Sequence, residues 1–130
     1  MLYQKLKLIT FVLLLMITNV SGETIKIAFW NVENLFDLEN DPFTNDDEFA
    51  IGGKKSCTQE ILDLKIDHLK EIIEEIDADI FGFCEVENRK ICELLNTYLQ
   101  DQHYQIIHYD SPDNRGIDNV LFYNPDIIDI

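Results

Sequence analysis

Five aliphatic residues, Leu62, Ile66, Leu69, Ile73 and Ile76, recur at intervals of four, three, four and three, and the chain then runs through Ile80-Phe81-Gly82-Phe83-Cys84 without a charged side chain. The first spacing is one face of a helix. Thr58 stands where an N-cap is needed and Glu60 falls in the first turn. Burying five aliphatic side chains contributes roughly 1.5–3 kcal/mol each, so this helix must pack on a sheet or another helix. Lys65, Lys70, Glu71, Glu74 and Glu75 lie off the stripe and read as solvated positions. The pentapeptide that follows suits a strand buried on both faces, with Cys84 as a small buried side chain. A helix feeding such a strand constrains the chain to a layered arrangement of helices on a sheet.

The flanking segments extend this pattern. Thr24 to Asn31 alternates, with Ile25, Ile27 and Phe29 on one side and Lys26, Ala28 and Trp30 on the other, and reads as a strand covered on both faces at its end. Glu33 to Cys57 carries Pro42, the Gly52-Gly53 pair, Thr44 and many Asp and Asn residues. It reads as a loop long enough to suggest a function. Asn88 can cap a second helix reaching roughly Leu99, with Ile91, Leu94, Leu95 and Leu99 as its apolar face. Tyr104 to His108 and Val120 to Tyr123 read as strands joined by the turn-forming Ser111 to Gly116, and a last strand is expected to begin at Ile127. The fold class is therefore α/β (α+β), a layered sandwich with helices packed on a mixed sheet. Its last strand would leave an unpaired edge.

The N-terminus has the order of an export signal. Lys5 and Lys7 precede the apolar run Leu8 to Met16, and Val20-Ser21-Gly22 supplies small residues for cleavage after Gly22. The expectation is a signal peptide over 1–22, a domain over 23–130, and an exported protein, periplasmic or secreted. The apolar run is shorter than a membrane span requires, so no stable span is expected after cleavage. The remaining part has 130 − 22 = 108 residues, and losing two lysines brings its charge to 8 − 25 = −17. Generic attraction to a phosphate backbone needs clustered Lys and Arg, so a phosphate ligand would be held by a metal ion and a few local cations. Cys57, Cys84 and Cys92 are odd in number and contain no C-x-x-C pair, which argues against a disulfide framework and a structural zinc site.

Two polar residues close apolar strands: Asn31 the first and Glu85 the second. A carboxylate directly after five apolar residues is costly unless it is paired or holds a cation, so Glu85 is a candidate ligand for a hard metal ion. The alternative is a solvated strand-end glutamate, as Glu87 is expected to be. Gly52-Gly53-Lys54-Lys55-Ser56 lacks the first glycine and the leading strand of a P-loop. The acidic stretch Asp37 to Glu48 lacks the glycine and ligand spacing of an EF-hand.

Ile27-Ala28-Phe29-Trp30-Asn31-Val32-Glu33-Asn34-Leu35-Phe36-Asp37 resembles the opening motif of the endonuclease/exonuclease/phosphatase superfamily, which includes pancreatic-type deoxyribonucleases, abasic-site endonucleases and inositol polyphosphate phosphatases. Phe81 to Asn88 is similar to its second motif. Ser111 to Asp118, followed by Val120 to Tyr123, is similar to a third segment. Asn45-Asp46-Asp47-Glu48-Phe49 resembles a loop of exported bacterial members. The resemblance implies the first half of a four-layer deoxyribonuclease-like fold and a metal-dependent phosphodiester hydrolase, nuclease-like first. It implies Mg2+ (or Mn2+ or Ca2+) as cofactor and nucleic acid as the leading substrate; no protein partner is predicted. It makes Glu85 a metal ligand, Asn31 an active-site amide orienting metal and phosphate, Glu33 a nearby acidic metal position, and Arg115 a group that neutralises a phosphate oxygen. Arg115 paired with a neighbouring Asp in the turn is the alternative, and Asp118 reads as structural. The family's Gly-Asp-x-Asn and Ser-Asp-His motifs have no counterpart, and His68, His103 and His108 do not stand where a general base is expected. The chain alone is therefore expected to be inactive. A noncatalytic exported binding or relic fragment, and a phosphoinositide or sphingolipid phosphodiesterase, remain the alternatives.

Overall fold

The computed structural model describes residues 24–99 and 102–129; the expected signal segment over 1–22 lies outside the described residues. In chain order the elements are β1 (Ile27–Leu35), α1 (Gln59–Ile76), β2 (Ile80–Val86), α2 (Arg89–Tyr98), β3 (Gln105–Tyr109) and β4 (Asp118–Tyr123). The strands form one sheet in the order β1-β2-β4-β3. β1 and β2 are parallel, joined through α1, while β4 runs antiparallel to both β2 and β3. This is the mixed sheet with helices that the sequence pattern predicts.

The apolar stripe of α1 buries Leu62, Ile66, Leu69 and Ile73. Ile76, in the last turn, stays 38% exposed. Thr58 caps the helix by accepting the Ile61 N–H at 3.3 Å, and the left-handed Asp77 ends it by donating its N–H to the Ile73 carbonyl. On α2, Asn88 accepts the Ile91 N–H at 2.9 Å. Ile91, Cys92 and Leu95 face the core, whereas Leu94 is 37% exposed and leaves the expected stripe.

The sheet has two unlike faces. Phe81, Phe83, Val120 and Phe122 are buried in a cluster with the helices, and Ala28, Trp30 and Ile106 pack against its edge. Strand alternation puts Ile27, Phe29, Gly82, Leu121 and Tyr109 on the other face. There Ile27 is 69%, Phe29 73% and Tyr109 79% exposed. The apolar side of β1 that the alternation singled out is thus the open one, because both helices of the described chain cover the opposite face. Phe29 lies across Gly82, where an added Cβ would come within 2.7 Å of its ring. Cys84 is on this face too and is only partly buried, contrary to the expectation of a core thiol.

Two further expectations are corrected. The segment at Ile127 is a turn: the Ile127 and Ile128 amides both donate to the Asn124 carbonyl, so the chain bends where a strand was expected. Loop 36–58 begins only after β1 has continued past Asn31 to Leu35. The loop is ordered by its own contacts. Phe36 and Phe49 stack at 4.0 Å, the Ile51 amide donates to the Leu38 carbonyl, and the Asn45 amide donates to the Asn114 carbonyl at 2.7 Å.

Candidate functional site

The register of β1 and β2 sets Asn31 beside Cys84, the residue before Glu85. Since the strands are parallel, the two motif residues emerge at the same end of the sheet. Both ladders break there. Between the pairs Asn31↔Cys84 and Leu35↔Val86, four steps along β1 span two along β2. Between Cys84↔Asn119 and Val86↔Asp118, two steps along β2 oppose one on β4. Glu85 has no partner in either ladder. Its φ is 63°, and Glu33 and Asn34 have φ of 55° and 63°. Left-handed backbone costs a non-glycine residue about 1–2 kcal/mol, and such strain clusters where geometry serves a site.

Asn31 is exposed and its Oδ1 accepts the Glu33 N–H at 2.8 Å. One lone pair of that oxygen and the whole Nδ2 group are left for a ligand. The Glu85 carboxylate takes no hydrogen bond from the described residues. Lys65, on α1, donates from Nζ to the Glu33 carbonyl at 2.6 Å and the Asn34 carbonyl at 3.3 Å. Burial lowers its pKa below the ordinary ammonium range, against the opposing charges of Glu33, Cys57 and Glu85. With Asn31, Glu33 and His68, Lys65 lines a shallow groove of about 450 Å³ along the edge of β1.

Arg115 adopts the turn arrangement. Its Nε and Nη2 donate to the two oxygens of Asp113 at 3.2 and 3.1 Å. That carboxylate raises the Arg115 pKa, and the charges of Glu85 and Glu48 add to it, so the guanidinium also lies within electrostatic reach of Glu85. The turn is shaped by Gly116 at φ 74°, packed on Thr44 so closely that a Cβ would come within 2.8 Å.

Glu87 is not solvated. It is 6% exposed, and its Oε2 accepts the Asp37 N–H at 2.6 Å. Burial pushes its pKa up to about 8, with Asp37 and Asp46 adding like charge against that hydrogen bond. At neutral pH it holds a proton. Asp46 is 1% exposed and accepts the Asp41 N–H on Oδ2, while its Oδ1 finds no conventional donor. A protonated Glu87 supplies one. Asp37 is held by Asn88 Nδ2 at 3.2 Å and Lys90 Nζ at 3.3 Å. No local sequence signal marks this cluster, since Glu87 is followed within three residues by Arg89 and Lys90.

His108, Asp110 and Asp118 bring ligand atoms within 4.8 Å of one another. Asp118 is already satisfied, taking His108 Nε2 at 2.8 Å on Oδ2 and the Ser111 N–H at 2.6 Å on Oδ1. His108 and Asp118 side chains are 6% and 5% exposed. The arrangement ties β3 to β4 and agrees with the structural reading of Asp118. Pairing His108 with an acid ten residues away was invisible without the strand register.

A mixed sheet with helices on one face, ending in oxygen donors at the close of two parallel strands, is an α+β arrangement. The match that places it is to the family described as the Endonuclease/Exonuclease/phosphatase family, over residues 26–130, and the chain belongs to that family. No curated protein and no solved structure matches the chain. Among the described residues no helix is long and apolar enough to cross a membrane.

Proposed function

We propose that Glu85, as metal ligand, with Asn31 and Glu33 beside it, belongs to a divalent-metal-dependent phosphodiester hydrolase site. The observation that carries this reading is the double break in pairing at Glu85, next to Asn31 across the ladder. A carboxylate left without a hydrogen-bond partner, an amide with a free lone pair, and a second carboxylate are all hard oxygen donors. They suit Mg2+, with Mn2+ or Ca2+ as substitutes, once water completes the coordination. The ion supplies charge neutralisation at the scissile phosphate. Asn31 Nδ2 is free to donate to a phosphate oxygen, and Arg115 adds positive charge nearby while Asp113 fixes its plane.

Nucleic acid is the substrate we favour, ahead of phosphoinositide or sphingolipid head groups. With a formal charge of −15, the chain would engage it through this local site and not through a broad basic surface. We also propose export, on the Lys5, Lys7, Leu8–Met16 and Val20-Ser21-Gly22 pattern.

The test is a Mn2+ titration followed by NMR. Resonances of Asn31, Glu33 and Cys84 to Val86 should broaden first, and Glu85→Gln should weaken the effect at least about tenfold, as losing a metal contact does. Broadening that begins instead at Asp110 and Asp118, or that survives Glu85→Gln, would remove Glu85 from the site and favour a noncatalytic chain.

A further inference from the structure

We infer that Lys65 is a positioning residue for the Asn31 amide, acting through the backbone it clamps; this rests on the proposed role of Asn31. Two consecutive non-glycine residues, Glu33 and Asn34, hold left-handed conformations. Neither would stay there in a free chain. Their carbonyls, turned out of the ladder by the break after Asn31, converge on one ammonium group, Lys65 Nζ, at 2.6 and 3.3 Å. The Glu33 N–H, on the same fixed peptide segment, donates to Asn31 Oδ1 at 2.8 Å. The chain of contacts runs from α1 to the bulge and from the bulge to the amide, leaving Nδ2 directed away from Glu33.

The location of Lys65 supports a role beyond surface charge. It lies among the buried Leu62, Ile66 and Leu69 on α1; Lys70 is half-buried as Lys65 is, but it makes only an i,i+4 pair with Glu74 at 3.5 Å, whereas Lys65 reaches two carbonyls of β1. A lysine placed off the apolar stripe by its spacing is here drawn under the strand end. Removing a long buried side chain also removes the cover its methylenes give the bulge.

Hydrogen exchange of the Glu33 amide in the full chain tests the clamp without any ion. Lys65→Met should speed Glu33 exchange by about tenfold more than exchange at Phe81 or Phe83, with Asn31 side-chain amide resonances moving toward those of a free amide. Lys70→Met should leave both unchanged. Equal acceleration at Glu33 and Phe83 would mean ordinary destabilisation and would overturn the inference, as would no change at Glu33. Should Lys65→Met fail to fold, Lys65→Arg decides: it keeps donors for two carbonyls and should retain Glu33 protection, and selective loss of that protection overturns the clamp.

Mn2+ binding gives a second readout with a definite sign. Deleting a cation near Glu85 would by electrostatics alone tighten the ion, whereas loss of positioning loosens it several-fold in Lys65→Met. Tightening refutes the positioning role. An absence of Mn2+ binding in the unaltered chain refutes the proposed metal site while the exchange result still decides the clamp.

Discussion

Glu85 and Glu87 leave the same strand two residues apart, yet one carboxylate, at the rim, takes no hydrogen bond from the described residues and the other is buried among acids and carries a proton at neutral pH. The backbone separates them. At Glu85 the φ of 63° takes the residue out of both ladders; by Glu87 the chain has rejoined β1, its N–H donating to the Leu35 carbonyl at 3.0 Å. Side-chain chemistry is identical at the two positions. What differs is whether the strand lends the carboxylate to solvent or folds it beneath the loop, and only the first arrangement leaves a hard ligand available.

The largest effect that would break this contrast is a pH effect on stability. Glu87 has a folded pKa of about 8 against 4.5 in the ordinary range. The native state therefore binds a proton that the unfolded chain releases, so stability is fully present below pH 4.5 and falls as pH rises toward 8. The loss is of the order of 3–5 kcal/mol. Chemical denaturation from pH 5 to 9 in chelator-containing buffer should show this slope, and Glu87→Gln should flatten it. An unchanged slope in Glu87→Gln would place the proton elsewhere.

Asn88 joins the buried acid to the helix that follows, capping α2 and donating to Asp37. Asn88→Ala should cost about 1–2 kcal/mol by urea denaturation, with Mn2+ broadening at Glu85 left intact. A comparable loss of broadening would show that the two glutamates are coupled. Smallest is the strain at the rim: Glu85→Gly should raise stability by about 1 kcal/mol, since glycine accepts φ 63° freely. The same urea midpoint measures it. A destabilised Glu85→Gly would mean that the carboxylate itself supports the fold.

Much of this architecture is legible in the residues. Periodicity finds α1 and β2 because the helix has a single buried stripe, and Thr58 and Asn88 are caps by chemistry that depends on a few local atoms. The motif pattern reaches Asn31 and Glu85, and register then places them together. Glu87 escapes the reading because its burial is imposed by Asp37 and Asp46, which approach from a loop fifty and forty-one positions earlier. Ile127 escapes because alternation cannot distinguish a strand from a turn anchored on the Asn124 carbonyl. Lys65 escapes because its spacing says solvent, while the left-handed pair it binds is a product of the ladder break.

The bare side of the sheet makes ionic strength a structural variable for this molecule. Phe29, Ile27 and Tyr109 offer water a greasy plane, and mutual repulsion among chains of formal charge −15 opposes the association of such planes in dilute buffer. Added salt shortens the reach of that repulsion from about 10 Å at 0.1 M to about 3 Å at 1 M. Acidification toward the isoelectric point near 4.3 removes it altogether. The charge shell thus opposes association, and the hydrocarbon beneath it sets the conditions under which that opposition stops being enough.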